Sequence, residues 1–170
     1  EDLWGQSLAA MELLPARSDL SLRLGAMFCK LPARRIRSVL RRWGASKELI
    51  AELSFYSHNL QPWRGAESLA LFDFKRLMAG PHFQRLRRLW RACERLETGA
   101  RRRSIRIARR VGQIPADRVR PQPLVTGEDL KAMGFGEGPK LGAALRQIYD
   151  AQLNEEVNSR PAAIKLARRH

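Results

Sequence analysis

The chain has 170 residues, enough for a fold that buries about two-thirds of its unfolded surface, and its content of 44% hydrophobic and 29% charged residues excludes a disordered chain. No apolar run approaches the ~20 residues of a membrane helix, so we expect no membrane partner. The two cysteines do not have the spacing of metal ligands, and we expect a reducing, cytoplasmic setting, with one disulfide between them as the alternative. With 32 Lys and Arg against 17 Asp and Glu, the net charge of +15 points to a polyanionic partner, although an Arg-rich proteome would produce the same excess.

Hydrophobic residues recur at helical spacing along the chain, and no segment keeps the alternation of a half-buried strand for long, so the sequence predicts an all-α fold. Residues 1–65 are expected to hold four helices and a loop at 61–65. The predicted helices and their end signals are 3–14 before Pro15, 20–31 between Ser18 or Asp19 and Pro32, 36–43 before Gly44, and 49–56 after the cap Ser46.

Residues 66–114 are expected to form a helical body of three more helices, at 69–78, 81–97 and around 101–110. The dipeptide Gly80-Pro81 makes the break between the first two sharp. In the third, which is rich in arginine, the helical period places Ile105, Ala108 and Val111 toward a core. The opposite side is expected to carry Arg102, Arg106, Arg109 and Gln113.

Residues 115–123 are rich in proline and are expected to form an extended linker before a tail at 124–170. In the tail, Thr126 is predicted to cap a helix, with Asp129 as the acidic partner of a capping box. Gly134 stands where a left-handed helix end is expected, and Pro139 where the next helix begins. A last helix is predicted at 159–169.

The glycine-rich part of the tail has the most specific pattern in the chain. Its residues in order are Leu124-Val125-Thr126-Gly127-x-Asp129-Leu130, then Gly134, Gly138-Pro139 and Leu141-Gly142, continued by Gln152-Leu153 and Glu155-Glu156. This order resembles the distal motif of the bacterial tRNA nucleotidyltransferase/poly(A) polymerase family, the class II CCA-adding and A-adding enzymes. The whole chain resembles the C-terminal half of these proteins, which implies an all-α array of helices.

Residues 1–65 resemble the HD-type helical module that many members of this family carry. Cys29-Lys30 stands where such modules have His-Asp, and Gln6 falls near the usual first histidine. Of the metal set only His58 remains, and a lysine cannot replace a carboxylate ligand. We therefore expect a degenerate module without a metal, kept as a scaffold.

The catalytic signature of the family, a Gly-Ser turn with paired aspartates for two metals, is not found in this sequence. Because the chain begins with Glu1 rather than Met, we expect it to be part of a longer protein. The resemblance implies no cofactor and no nucleotide transfer in this chain alone, with Mg²⁺ and ATP or CTP bound in a preceding domain of the parent. Whether the parent adds CCA, only A, or poly(A) stays open, as does the oligomeric state.

The arginine-rich helix is the first candidate for RNA contact, because clustered cations repel each other unless a polyanion neutralises them. The glycine turn before Lys140 is the second, since free N–H groups at a helix start favour a phosphate. The full candidate set is Arg101, Arg102, Arg103, Arg106, Arg109, Arg110, Gly136, Gly138, Lys140 and Arg64. The resemblance implies tRNA or another RNA as the partner, contacted through its backbone and shape.

Each candidate also has a purely structural interpretation. The arginines fit a solvated face paired with Glu94 and Glu97, and the glycines fit a tight turn, with Glu137 opposing an anion. Apolar spacing predicts that Trp4, Trp43 and Trp90 pack in a core, as do Cys29 and Cys93, whereas Trp63 beside Arg64 is the tryptophan best placed for stacking.

Three other functions stay open. A remnant of an HD-type phosphohydrolase would bind metal, although Lys30 argues against it. A helical protein-interaction module would carry its charge incidentally. A helical hairpin that binds DNA is a variant of the RNA-binding hypothesis, because the hairpin alone does not distinguish the two polymers.

Overall fold

The predicted all-α class is confirmed by the computed structural model, which describes residues 3–60, 65–96 and 101–169, without the side chains of Leu3 and Arg101. The described residues form helices and connecting turns, with no strand among them. The helices are α1 (Leu3–Glu12), α2 (Leu20–Met27), α3 (Ala33–Arg42), α4 (Lys47–Leu60), α5 (Leu71–Met78), α6 (Phe83–Arg95), α7 (Arg101–Gln113), α8 (Ala116–Val119), α9 (Gly127–Ala132), α10 (Pro139–Leu153) and α11 (Arg160–Ala167). In this described part, no helix has the length and apolar character needed to span a membrane.

Contacts divide the chain into two compact units, which are described separately. Unit 1 comprises Glu1–Ser68 and Gly80–Gln113, and unit 2 comprises Leu69–Ala79 and Ile114–His170. The four predicted segments 1–65, 66–114, 115–123 and 124–170 stay a prediction. One local expectation was wrong: the segment expected to be extended contains the one-turn helix α8, which begins directly after Pro115. Proline has no N–H to lose at a helix start, so a proline-rich segment is compatible with a short helix.

The core of unit 1 forms where α2 packs against α1, α4 and α6, and where α3 packs against α4. Gly25 of α2 allows the side chains of Tyr56 and Leu89 to pack directly on its backbone, because a Cβ there would lie 2.9 Å from atoms of both. The largest fully buried apolar side chains of this core are those of Trp90, Tyr56, Leu22, Leu40, Leu53, Leu86 and Leu89.

A buried carboxylate, Glu52 on α4, joins three elements of unit 1. It accepts hydrogen bonds from the Ser21 hydroxyl (2.9 Å), from the Tyr56 hydroxyl and from Arg85 Nη1 (2.8 Å). Burial acts to raise the pKa of Glu52, but these hydrogen bonds and the charge of Arg85 outweigh it and hold the pKa below its usual value. The same burial, together with the neighbouring charge of Glu52, raises the pKa of Tyr56.

The residues that begin and end the helices of unit 2 lie where the sequence predicts them. Thr126 Oγ1 accepts from the Asp129 N–H (3.3 Å), and the Asp129 carboxylate accepts from the Thr126 N–H (2.8 Å), which completes the capping box. Gly134 has φ +92°, and Pro139 occupies the first turn of α10. Helices α9, α10 and α11 enclose a core that includes Leu130, Ala144, Ile148, Ala151 and Ala163.

Three tryptophans were expected in the core, and for two of them this was wrong. Trp4 is 58% and Trp43 60% exposed, whereas Trp90 is buried and donates from Nε1 to the Asn59 carbonyl (2.9 Å). Apolar spacing places a side chain on one face of a helix, but burial also requires a neighbour on that face.

The two cysteines are free thiols. Cys29 is buried as expected, while Cys93 is half-buried. A hydrogen bond between the two thiols lowers the pKa of Cys29 to about 7, against the effect of burial.

Candidate nucleic-acid interface

The positive charge of the chain is concentrated in unit 1. This unit has 21 Lys and Arg against nine Asp and Glu, a net charge of +12, whereas unit 2 has 11 against eight, a net charge of +3. A polyanion is therefore attracted mainly to the surface of unit 1.

The arginine-rich helix is α7, and its exposed side is the predicted one. Arg102, Arg106, Arg109 and Gln113 are all exposed. The predicted core side was partly wrong: Ile105 is 60% exposed, and among the described side chains of α7 the buried one is that of Ile107. Ala108 and Val111 are half-buried. The buried stripe of α7 is thus rotated away from Ile105, toward the side that carries Ile107 and Val111.

Two of the predicted RNA-contacting arginines bind residues of the segment just before α5. Arg106 forms a two-pronged ion pair with Glu67, through Nε to Oε2 and through Nη2 to Oε1 (3.1 Å). Arg110 Nη1 donates to the carbonyls of Ala66 and Glu67, both at 2.9 Å. The hydrogen bond from Arg106 is the main cause of a lowered pKa of Glu67, to which the charge of half-buried Arg103 also contributes. These two arginines attach α7 to the segment before α5. Arg102 and Arg109 are the exposed cations of α7 that remain without an ion pair among the described residues.

A buried carboxylate compensates the cations at the start of α7. Glu94 on α6 is 3% exposed, and its Oε1 accepts from the Ser104 N–H at 2.9 Å. This N–H belongs to the first turn of α7, where N–H groups have no partner within the helix. A negative charge there also offsets the helix dipole, which would otherwise repel the first-turn arginines.

A basic groove runs between α6 and α7, with a volume of about 600 Å³. We refer to it as the α6–α7 groove. The residues that line it are Leu13 and Pro15 after α1, Arg88, Arg91, Ala92, Glu94 and Arg95 of α6, and Ser104 and Ile105 of α7. In the described part of the chain, Arg91 and Arg95 have no ion-pair partner.

Residues of α7 extend this groove, and crowding raises its positive potential. Arg102 and Arg109 are three and four residues from Ile105, so they neighbour its position on the helix surface. Burial and the charge of Arg91 both lower the pKa of Arg87, a sign that like charges are held close together on α6. The α6 arginines were missed at the level of sequence, although their spacing at 88, 91 and 95 already places them on one helical face.

The glycine turn in unit 2 forms a separate depression of about 790 Å³, lined by residues that include Gly136, Gly138 and Lys140. Lys140 is exposed there. Glu137, expected to oppose an anion, pairs with Lys131 Nζ at 2.7 Å, which reduces that opposition. The structure thus brings three predicted residues together in unit 2, and in unit 1 it leaves Arg102 and Arg109 exposed on α7 without an ion pair among the described residues.

The two predicted glycines differ in backbone conformation, and this supplies a matched test. Gly138 has φ +133° and ψ −166°, a region that is open essentially only to glycine, whereas Gly136 is not among the glycines of positive φ. A Cβ at either position would meet no atom within 4 Å. We expect Gly138→Ala to destabilise unit 2 by about 1–3 kcal/mol and Gly136→Ala to change its stability by less than about 0.5 kcal/mol.

Native-state hydrogen exchange of α10 amides in the full chain measures this difference. Equal protection of these amides in the two variants would contradict the expectation that the backbone conformation at position 138 requires glycine.

Other candidates lie outside the described residues or have local partners. Arg64 and Trp63, and the side chain of Arg101, belong to the part that is not described. The Nδ1 atom of His58 lies 2.7 Å from the Ser54 carbonyl of its own helix. Among described residues, no group of three or more His, Cys, Asp or Glu side chains is arranged to hold a metal ion.

Comparison of the chain with protein-family models, with curated proteins and with solved structures finds no match in any of the three.

Proposed function

We propose that this chain binds RNA through the α6–α7 groove of unit 1. It serves as the RNA-holding C-terminal part of a protein that resembles the tRNA nucleotidyltransferase/poly(A) polymerase family. In this proposal the bound RNA is a tRNA or the 3′ region of another RNA, and the nucleotide is added by a catalytic domain, outside this chain, that binds Mg²⁺ with ATP or CTP. The chain itself holds the substrate and transfers nothing.

One observation carries the proposal: three exposed arginines of α6 line a groove bordered by α7, and two exposed arginines of α7 neighbour Ile105 of that lining on the helix surface. They are Arg88, Arg91 and Arg95 on α6, and Arg102 and Arg109 on α7. Guanidinium groups suit this task, because they stay charged at any physiological pH and bind phosphate oxygens through two parallel hydrogen bonds. Contacts of this kind follow the backbone and read little sequence, which is what a protein that accepts many RNAs requires.

The glycine-rich turn of unit 2 supports the same proposal in a second way. The first turn of α10 begins with Pro139, which has no N–H, so the N–H groups of Lys140 and Leu141 are those left for a ligand. With the Lys140 ammonium beside them, they suit a single phosphate. The family resemblance rests mainly on the residues of this turn.

A helical protein-interaction module is the second candidate, and exposed apolar residues favour it. Trp4, Leu8 and Leu20 are exposed on α1 and α2, and α1 has no basic residue. The exposed residues of this surface are distinct from the arginines of the α6–α7 groove, so the two functions are separable by mutation.

Photocrosslinking of the full chain to a tRNA transcript, followed by mass spectrometry of the linked peptides, tests the proposal. We expect crosslinks in the peptides that carry Arg91, Arg95, Arg102 and Arg109, and we expect heparin to compete for them. A chain that forms no complex with tRNA at about 50 mM salt, or crosslinks confined to α1 and α2, would overturn it.

A further inference from the structure

Helix α3 carries a second basic surface, and none of its residues belongs to the predicted RNA-contacting set. Its five arginines are Arg34, Arg35, Arg37, Arg41 and Arg42, and all are exposed. Ile36 and Leu40 lie on the opposite side of the helix and are buried where α3 packs on α4. At 100° per residue the arginines cover an arc of about 160°, centred away from the core.

The surroundings of α3 supply no compensating negative charge along the sequence. From residue 20 to residue 47 the chain has eight Lys and Arg residues and no Asp or Glu. Within the described part of the chain, none of the five α3 arginines has an ion pair. In α7 the first-turn cations have Glu94 beside them, and α3 has no such carboxylate in its first turn.

The positions of these cations lower the stability of the isolated helix. Arg34 and Arg35 occupy the first turn, where the helix dipole disfavours positive charge, and Pro32 at the N-cap offers no side-chain hydrogen bond. Arg41 and Arg42 in the last turn are favourable to the dipole, so helix stability accounts for them but not for the first pair. A bound polyanion would offset the unfavourable pair.

An exposed aromatic ring stands at the end of the arginine row. Trp43 follows α3 directly, and 60% of its surface is exposed. The Phe28 ring lies against it with centroids 5.9 Å apart, which restricts the orientation of the indole. From Arg34 to Trp43 the axis rises by about 13 Å, the length of roughly four nucleotides of a stacked strand.

We propose that the α3 surface (Arg34, Arg35, Arg37, Arg41, Arg42 and Trp43) binds a single-stranded segment of RNA, with phosphates on the arginines and a base stacked on Trp43. Single strands offer their base faces for stacking on aromatic side chains, whereas the bases of a duplex are already stacked within it. This inference rests on the proposed RNA-binding function and extends it, because the α6–α7 groove then holds the folded part of the RNA and the α3 surface an unpaired part.

The test compares two labelled probes on the full chain: an oligouridylate of about 12 nucleotides, and a blunt RNA hairpin with a similar number of phosphates. We expect Trp43→Ala to weaken oligouridylate binding about tenfold and to change hairpin binding by less than about twofold. Trp43→Phe is expected to restore most of the affinity. Trp4→Ala removes an equally exposed indole from a helix without arginines and is expected to leave both affinities unchanged.

A second variant tests the cations. The combined variant Arg34→Gln, Arg37→Gln and Arg41→Gln is expected to make the negative slope of log association constant against log salt concentration shallower by about 2 for the oligouridylate.

The possible failures are distinguishable. If tRNA binds and depends on the α6–α7 groove, but Trp43→Ala leaves oligouridylate affinity within about twofold of the parent, the inference is wrong and the proposed function stands. Equal losses for the oligouridylate and the hairpin would also overturn it, because stacking would then play no part. If neither probe nor tRNA binds at low salt, the proposed function fails, and the inference that rests on it fails too.

Discussion

Combined replacement of Arg91, Arg95, Arg102 and Arg109 by Gln is expected to weaken tRNA binding about 100-fold at about 0.1 M salt. These four residues are exposed and, within the described residues, have no ion-pair partner, so their loss removes phosphate contacts without breaking an internal contact. Arg106 is left unchanged in this variant, because its ion pair with Glu67 attaches α7 to unit 1. Fluorescence anisotropy with labelled tRNA measures the effect.

The matched control removes the same number of charges from unit 2. Arg120, Arg146, Arg168 and Arg169 are exposed there, and their replacement by Gln lowers the net charge of the chain equally. We expect a loss of less than about fivefold for the control, since only the general potential is reduced. Equal losses in the two variants would contradict a specific groove and leave only the net charge as the cause.

The second large effect concerns stability. Glu52→Leu is expected to lower the free energy of unfolding of unit 1 by about 1–3 kcal/mol, because the buried Tyr56 hydroxyl loses its acceptor, whereas Ser21 and Arg85 keep Asp19 as a partner. Urea denaturation followed by tryptophan fluorescence and circular dichroism measures the change. Glu48→Leu on the same helix is the control, and because the Glu48 carboxylate is exposed, its replacement is expected to leave the urea midpoint nearly unchanged.

The same carboxylate predicts a pH dependence of known sign. The pKa of folded Glu52 lies below the ordinary value of 4.5, so the unfolded chain takes up a proton at this site first as the pH falls. Its contribution is complete well above pH 4.5 and is lost as the pH falls through the folded pKa. The free energy of unfolding of Glu52→Gln should therefore fall less steeply with decreasing pH below about 4.5 than that of the parent chain. A variant with the unchanged slope would contradict the assignment.

Local signals predicted the hairpin of unit 2 well. The capping box of Thr126 and Asp129, the left-handed Gly134 and the early Pro139 all depend on residues within four positions of each other. Interactions of that range are encoded in short stretches of sequence. The resemblance to a family, by contrast, stays a proposal, because it concerns what the residues bind and not how they fold.

Long-range contacts decided what the sequence left open. Ile105 and Ile107 are equally apolar, and only packing selects Ile107 for burial. The ion pair of Arg106 with Glu67 joins residues that are 39 positions apart, so no local sequence pattern predicts it. The α6–α7 groove was missed for a related reason, because the residues that line it come together only when α6 and α7 pack against each other.

The salt dependence of tRNA binding by the unaltered chain tests the central claim most directly. If about five arginines of the α6–α7 groove contact phosphates, the logarithm of the association constant should fall with the logarithm of salt concentration at a slope of about −4. A slope shallower than about −1, or no binding at the lowest salt, would contradict an electrostatic RNA interface on unit 1.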